Sequence, residues 1–206
     1  MEGLGVFDYA GTYENGSRSV WAEDVIYIEE MQKYVTYFCT SSTYIKSKLC
    51  YATADRPEGP YAYQGTLLYS GFTAQDIEDT DVYEYVDSET AAAIYLSGGH
   101  NSIEGPYIQY DADSGYYYLY VSYGGLERTG GYQIRVFRSK TPDGEYTDMN
   151  GSFPSLGCDH SKYGLKLSGN YYMPGCKYAY MATGGQSAFR DTDGKLLLHQ
   201  SGEKDQ

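Results

Sequence analysis

Residues 25–40 read VIYIEEMQKYVTYFCT, and residues 107–122, 82 positions later, read YIQYDADSGYYYLYVS. Each is a run of apolar and aromatic residues, a short polar stretch, and a second such run. Period-two patterning rich in Val, Ile, Tyr and Phe, broken by Glu, Asp, Ser and Gly, marks a β-hairpin. The correspondence continues past the hairpin: residues 49–61, LCYATADRPEGPY, are echoed by residues 136–146, VFRSKTPDGEY. Both end in a Pro/Gly turn followed by Tyr. A third copy starts near Ser187, where SAFRDTDGKLLLHQS repeats strand, DTDG turn and strand about 80 positions after the second.

A unit of hairpin, second hairpin and Pro/Gly turn predicts a four-stranded blade, and recurrence of that unit predicts a β-propeller. A β-sandwich or meander with coincidentally matching Tyr-rich hairpins is the competing architecture. Propellers typically close with four to eight blades, whereas about two and a half to three are recognisable here. Further blades are then too degenerate to read, or the chain is a fragment or carries deletions. The expectation is one all-β domain over residues 1–206, a partial propeller.

Composition agrees. The 206 residues include 27 Tyr and 25 Gly but a single Trp, a balance that favours strands and turns over helices. The net charge of −13 repels phosphate backbones, and no Lys/Arg cluster offsets it, so nucleic acid is not expected as a partner. A neutral polymer or a cation suits such a surface better. Cys39, Cys50, Cys158 and Cys176 form no CxxC pair and no metal-ligand spacing, and read as free, mostly buried thiols. The first residues, MEGLGVFDYAG, have no basic or apolar leader pattern, and no apolar run approaches ~18 residues, so neither a signal peptide nor a membrane span is read.

Residues 99–108, GHNSIEGPYI, continue through YYYLYVSYGG to residues 131–140, GYQIRVFRSK. This stretch resembles glycoside hydrolase family 43, the arabinan endo-1,5-α-L-arabinosidase type and its arabinofuranosidase and xylosidase kin. Residues 19–27, SVWAEDVIY, are similar to the family's WAPD-type blade opening with Glu23 in place of Pro; residues 163–169, YGLKLSG, and 179–189, AYMATGGQSAF, add weaker echoes. The resemblance implies a five-bladed propeller that hydrolyses arabinan or other arabinose-containing polysaccharide with inversion. In that family each innermost strand opens with a short motif whose polar residue points at the axis. WAED at Trp21, IEGP at Ile103 and GGQS at Gly184 match three of the five. The two openings that carry catalytic aspartates have no counterpart. Residues 72–100, FTAQDIEDTDVYEYVDSETAAAIYLSGGH, stand where the family has a whole further blade, and a join near residues 86–93 accounts for that.

Inverting glycosidases need a carboxylic acid that protonates the leaving oxygen and a carboxylate ~6.5–9.5 Å away that activates water. The resemblance places Glu104, in IEGPY, as the general acid; a surface glutamate at a strand start is the plain alternative. No general base is recognised, and Asp76, Asp79, Asp81 and Asp87 read as solvated loop carboxylates. Trp21, Tyr107 and Tyr123 are the candidate substrate-binding aromatics, because sugar C–H faces stack on such rings. The remaining Tyr read as strand residues with one wet face, and Asp24 as a support for the opening beside Trp21. Family members often hold an axial calcium or other ion near a histidine in the last blade. The aligned position here is Gly185, and His199 lies on the following strand, so no metal or cofactor is expected. The expected function is hydrolysis of plant cell-wall arabinan, with a carbohydrate polymer or oligosaccharide as partner and neither nucleic acid nor membrane. The alternative is a non-catalytic, glycan-binding propeller remnant. Relatives of this kind are usually secreted.

Overall fold

The computed structural model describes residues 11–12, 18–42, 46–70, 103–126, 131–153, 162–172, 174–175, 177 and 179–204. These contain eleven strands and no α-helix: β1 (Gly11–Thr12), β2 (Arg18–Ile28), β3 (Lys33–Ser42), β4 (Lys46–Ala54), β5 (Ala62–Ser70), β6 (Ile103–Asp111), β7 (Tyr116–Tyr123), β8 (Gln133–Ser139), β9 (Leu165–Ser168), β10 (Tyr180–Arg190) and β11 (Leu196–Lys204). They form three sheets, ordered β1-β2-β3-β4-β5, β6-β7-β8-β9 and β10-β11. All named strand pairs are antiparallel. The repeat read in the sequence is therefore physical: two four-stranded meanders, the first with β1 added at its edge, and a hairpin. The proposed join at residues 86–93 and the four aspartates at 76, 79, 81 and 87 lie outside the described residues, as do Cys158 and Cys176.

The strand register corrects the sequence alignment by one residue. Trp21 pairs with Cys39 and Ile28 with Lys33; Glu104 pairs with Ser122 and Asp111 with Tyr116. The first two copies thus superpose one position further along than the aromatic runs imply, because a stretch such as Tyr116–Tyr118 matches itself at either phase. Turn geometry fixes the true phase. Residues 29–32 and 112–115 are turns of equal length whose last residues, Gln32 at φ 53° and Gly115 at φ 64°, share the left-handed conformation.

The sheets stack face to face. Side chains alternate across a strand, and β7 uses both of its faces. Tyr117, Leu119, Val121 and Tyr123 join Val35, Tyr37 and Cys39 of β3 in one core. Tyr120 turns the other way and meets Val136 and Ala188 of the third sheet. A strand covered on both faces has no need of alternating polar residues, which is why β7 reads YYYLYVSY. Tyrosine suits this role because its ring fills the space between sheets while its hydroxyl finds a polar partner. Tyr37 and Tyr146 both donate to the Pro142 carbonyl, at 3.3 and 3.0 Å, and Tyr117 donates to Glu30 Oε2 at 3.0 Å. Tyr37, Tyr117, Tyr120, Tyr123 and Tyr146 are all buried, so the expectation of a wet face on most tyrosines does not hold for the middle of the stack.

Equivalent positions show where covering stops. Val25, Ile108 and Ala188 occupy the same register on β2, β6 and β10, yet Val25 is 45% exposed while Ile108 and Ala188 are 1% and 2% exposed. The second and third sheets each have a neighbour against this face; among the described residues the first has none. Cys39 and Cys50 are buried thiols that form no disulfide, as read from the sequence. No helix among the described residues is long and apolar enough to cross a membrane.

Leu119 is fully buried between the first two sheets, whereas Leu196 is 47% exposed. Leu119→Ala is expected to cost about 2–5 kcal/mol through lost burial and the cavity left behind, and Leu196→Ala about 0.5 kcal/mol or less. Urea titration of both variants checks the contrast; equal losses would contradict the stacking described.

Candidate active site at the strand openings

Strands β2, β6 and β10, one from each sheet, share one irregularity. In β2 the ladder skips between Trp21 and Asp24, in β6 between Glu104 and Tyr107, and in β10 between Gly184 and Ser187. Within each skip one residue is left-handed: Ala22 at φ 54°, Gly105 at φ 59° and Gly185 at φ 58°. Such a bulge bends the strand and re-aims the side chains beside it. Trp21, Glu104 and Gly184 are therefore register equivalents, and the motifs WAED, IEGP and GGQS are one structural device in three chemical versions. Glycine adopts this conformation without penalty in two of them; Ala22 carries a cost of about 1–2 kcal/mol.

The bulges are where the second and third sheets are joined. Gln186 Nε2 donates to the Gly105 carbonyl at 2.5 Å, Ser122 Oγ bonds to Gln186 Oε1 at 2.8 Å, and the Gly185 amide donates to Ser122 Oγ at 3.1 Å. The first and second sheets meet similarly: Cys39 Sγ lies 3.1 Å from the Ile103 carbonyl. Burial pushes the Cys39 thiol well above its ordinary pKa, with the Glu104 charge adding to the shift, so it stays a neutral thiol donor.

Glu104 stands half-buried at the bulge of β6. Tyr132, just ahead of β8, donates its hydroxyl to Glu104 Oε1. Tyr132 is only 7% exposed, and burial followed by the adjacent Glu104 charge pushes its own pKa far up, so it remains a neutral donor. Its ring lies over Gly184, where an added Cβ would come within 2.1 Å of Cε1 and 2.8 Å of Ser122 Oγ. Only glycine leaves room for this ring.

Asp24 also lies at a bulge. Burial raises its pKa, against the lowering effect of backbone amides of Ile108 and Val25 that donate to the carboxylate. The Ile108 contact crosses from the first sheet to the second, which matches the reading of Asp24 as a support.

The other residues singled out in the sequence have different surroundings. Trp21 holds its place in the backbone register opposite Cys39; its side chain lies outside the description. Tyr107 is an inter-sheet link, its hydroxyl donating to the Ala188 carbonyl at 2.7 Å. Tyr123 is buried with the Arg135 guanidinium 4.1 Å from its ring centre. Tyr107 is half-buried and Tyr123 buried, so the two rings read as candidate sugar-binding faces also make contacts within and between the sheets. His199 is exposed on β11 opposite Ser187, and Gly185 is exposed at its bulge. Among the described residues no three His, Cys, Asp or Glu side chains cluster as metal ligands would.

Tyr132, Ser122 and Gln186 were missed as site residues. Nothing local marks Tyr132 among 27 tyrosines; the only signal was Gln186 inside the GGQS opening. A cavity of about 600 Å³, lined by Lys33, Tyr51, Asp55, Gln64 and Asp143 among others, lies at the hairpin-turn end of β3, away from the openings, and contains none of the network.

No family model matches the chain. It is 33% identical over 207 residues to extracellular endo-α-(1→5)-L-arabinanase 2 of Bacillus subtilis (strain 168), covering 75% of this chain and 44% of that protein. It is 30% identical over 236 residues to the extracellular endo-α-(1→5)-L-arabinanase of Thermotoga petrophila, covering 87% of this chain and 50% of that one. The crystal structure of endo-1,5-α-L-arabinanase from Thermotoga petrophila RKU-1 matches 95% of this chain and 56% of its own, with 27% identity and a TM-score of 0.50. The chain spans about half the length of the curated relatives it matches. The antiparallel sheets are those of an incomplete β-propeller of the five-bladed glycoside hydrolase family 43 type. Within that class the chain is endo-arabinanase-like.

The raised pKa of Asp24 has a sign that can be measured. The folded protein binds this proton more tightly than the unfolded chain, so the stability it brings is full below the ordinary aspartate value near 3.9 and is lost as pH rises through the folded value. Asp24→Asn, which never ionises, is expected to gain in Tm relative to the unsubstituted protein between about pH 3 and pH 7. A difference that stays flat or falls with pH would contradict the burial of Asp24.

Proposed function

We propose that the chain acts as a glycosidase on α-1,5-linked arabinan or related arabinose-containing polysaccharide, with Glu104 as the general acid. The observation that carries this reading is the placement of Glu104: a carboxyl on the bulge of a first strand, where three register-equivalent openings recur, in a chain at least 30% identical to two endo-arabinanases.

The chemistry follows from that position. A glycosidic bond breaks through a transition state in which positive charge grows on the sugar ring while the leaving oxygen becomes basic. A carboxylic acid within hydrogen-bond reach gives that oxygen a proton, and a second carboxylate on the opposite sugar face, ~6.5–9.5 Å away, takes a proton from the attacking water. Glu104 is the member of the pair supported here. Its half-burial keeps bulk water from competing for the proton, and Tyr132 holds Oε1 by a hydrogen bond.

The test is release of reducing sugar from linear 1,5-α-arabinan by the purified chain and by Glu104→Gln. Glu104→Gln is expected to lower kcat by about 100-fold or more, the scale of general acid catalysis. Retention of arabinan without product by the unsubstituted chain would instead identify a glycan-binding module, and equal activity in both proteins would remove Glu104 from the acid role.

A further inference from the structure

Tyr132 is a hydrogen-bonded neighbour of the candidate acid that the proposed chemistry does not use. Three observations converge on it. Its hydroxyl donates to Glu104 Oε1. Its ring is buried, and burial together with the Glu104 charge keeps the phenol protonated. The space it occupies is reserved for it: Gly184, the register equivalent of Glu104 on the third sheet, would drive a Cβ into the ring at 2.1 Å. The same Cβ would press on Ser122 Oγ, the atom that bonds Gln186 and the Gly185 amide. Tyr132 is thus clamped between the β6 bulge and the β10 bulge, and the clamp ends on one oxygen of Glu104.

On the reading of Glu104 as general acid, we infer that Tyr132 is its positioning residue: the phenol pins Oε1 as a hydrogen-bond acceptor and so assigns the transferable proton to Oε2. A carboxylic acid carries one proton on one of two oxygens, and a donor fixed at Oε1 makes that oxygen the carbonyl-like one. When the Oε2 proton moves to the leaving oxygen and the C–O bond breaks, Glu104 becomes a carboxylate and Tyr132 keeps its proton. The Tyr132 bond then turns from neutral to charge-assisted and strengthens by roughly a factor of two. An interaction stronger after proton transfer than before it lowers the barrier, whereas one of constant strength changes only binding. Tyr132 touches neither sugar nor water in this scheme and acts only through Glu104.

The experiment compares the full chain with Tyr132→Phe, Glu104→Gln and the double variant on two substrates: linear 1,5-α-arabinan, whose sugar leaving group needs a proton, and a nitrophenyl arabino-oligosaccharide, whose leaving group does not. Phe retains the ring, so packing against Gly184 is preserved. Tyr132→Phe is expected to lower kcat on arabinan by about 10- to 100-fold at nearly constant KM, from loss of one charge-assisted hydrogen bond. Turnover of the nitrophenyl substrate is expected to stay within about threefold, and the double variant to be no slower on arabinan than Glu104→Gln alone. Unchanged arabinan turnover in Tyr132→Phe, or equal loss on both substrates, would overturn the assignment. A second readout is independent of catalysis: the 13Cζ resonance of tyrosine-labelled protein that disappears in Tyr132→Phe. A clear displacement of that resonance in Glu104→Gln supports the pinning of Oε1 even if the unsubstituted chain releases no sugar, a result that would count against the proposed hydrolysis alone. An unmoved resonance overturns the pinning.

Discussion

One left-handed residue in each of β2, β6 and β10 sets how the sheets are joined. Ala22, Gly105 and Gly185 bend β2, β6 and β10 at equivalent registers, and the contacts between sheets are built on those bends. Without the bend each strand would continue its ladder and present its groups to its own sheet alone. With it, a carbonyl such as that of Gly105 and an amide such as that of Gly185 are freed from the local ladder and become available to the next sheet. Buried backbone groups must find partners, and here they find them across the joint: Gly105 O from Gln186, Gly185 N with Ser122.

The joint repeats with changed chemistry. Cys39 and Ser122 occupy the same position opposite their bulges, and each uses its short polar side chain to reach the opening of the following sheet, a thiol in one case and a hydroxyl in the other. Asp24 and Tyr107 are likewise equivalent; the carboxylate receives the Ile108 amide, and the phenol donates to the Ala188 carbonyl. Donor and acceptor have exchanged roles while the geometry of the link is retained. Arg190 adds an ion pair to Asp111 at the hairpin end, with Asp113 3.4 Å away; such a solvent-screened pair adds little to stability. The inter-sheet cores and buried hydrogen bonds carry the assembly, and the candidate acid is held by the same network that joins the sheets.

The sequence made the architecture legible because hairpins announce themselves locally: alternation, a polar turn and a second aromatic run need no tertiary context. Phase was harder. A one-residue shift between copies is invisible among consecutive tyrosines, and only the left-handed turn residues Gln32 and Gly115 fix it. The candidate site was half legible. Glu104 stands out through the IEGPY motif, and its equivalence to Trp21 and Gly184 follows from the repeat. Tyr132 could not be found this way, since its role depends on a contact across 28 residues and on the absence of a side chain at Gly184. The burial of Tyr123 is equally illegible in the sequence, because stacking of sheets covers a ring that a single hairpin would leave open.

A double-mutant cycle across the joint tests this account most directly. Ser122 and Gln186 sit on different sheets, and their side chains bond at 2.8 Å in a buried setting. Urea denaturation of Ser122→Ala, Gln186→Leu and the double variant is expected to give a coupling energy of about 1 kcal/mol or more. Additive losses, with coupling below about 0.3 kcal/mol, would contradict the claim that the bulges of neighbouring sheets are locked together.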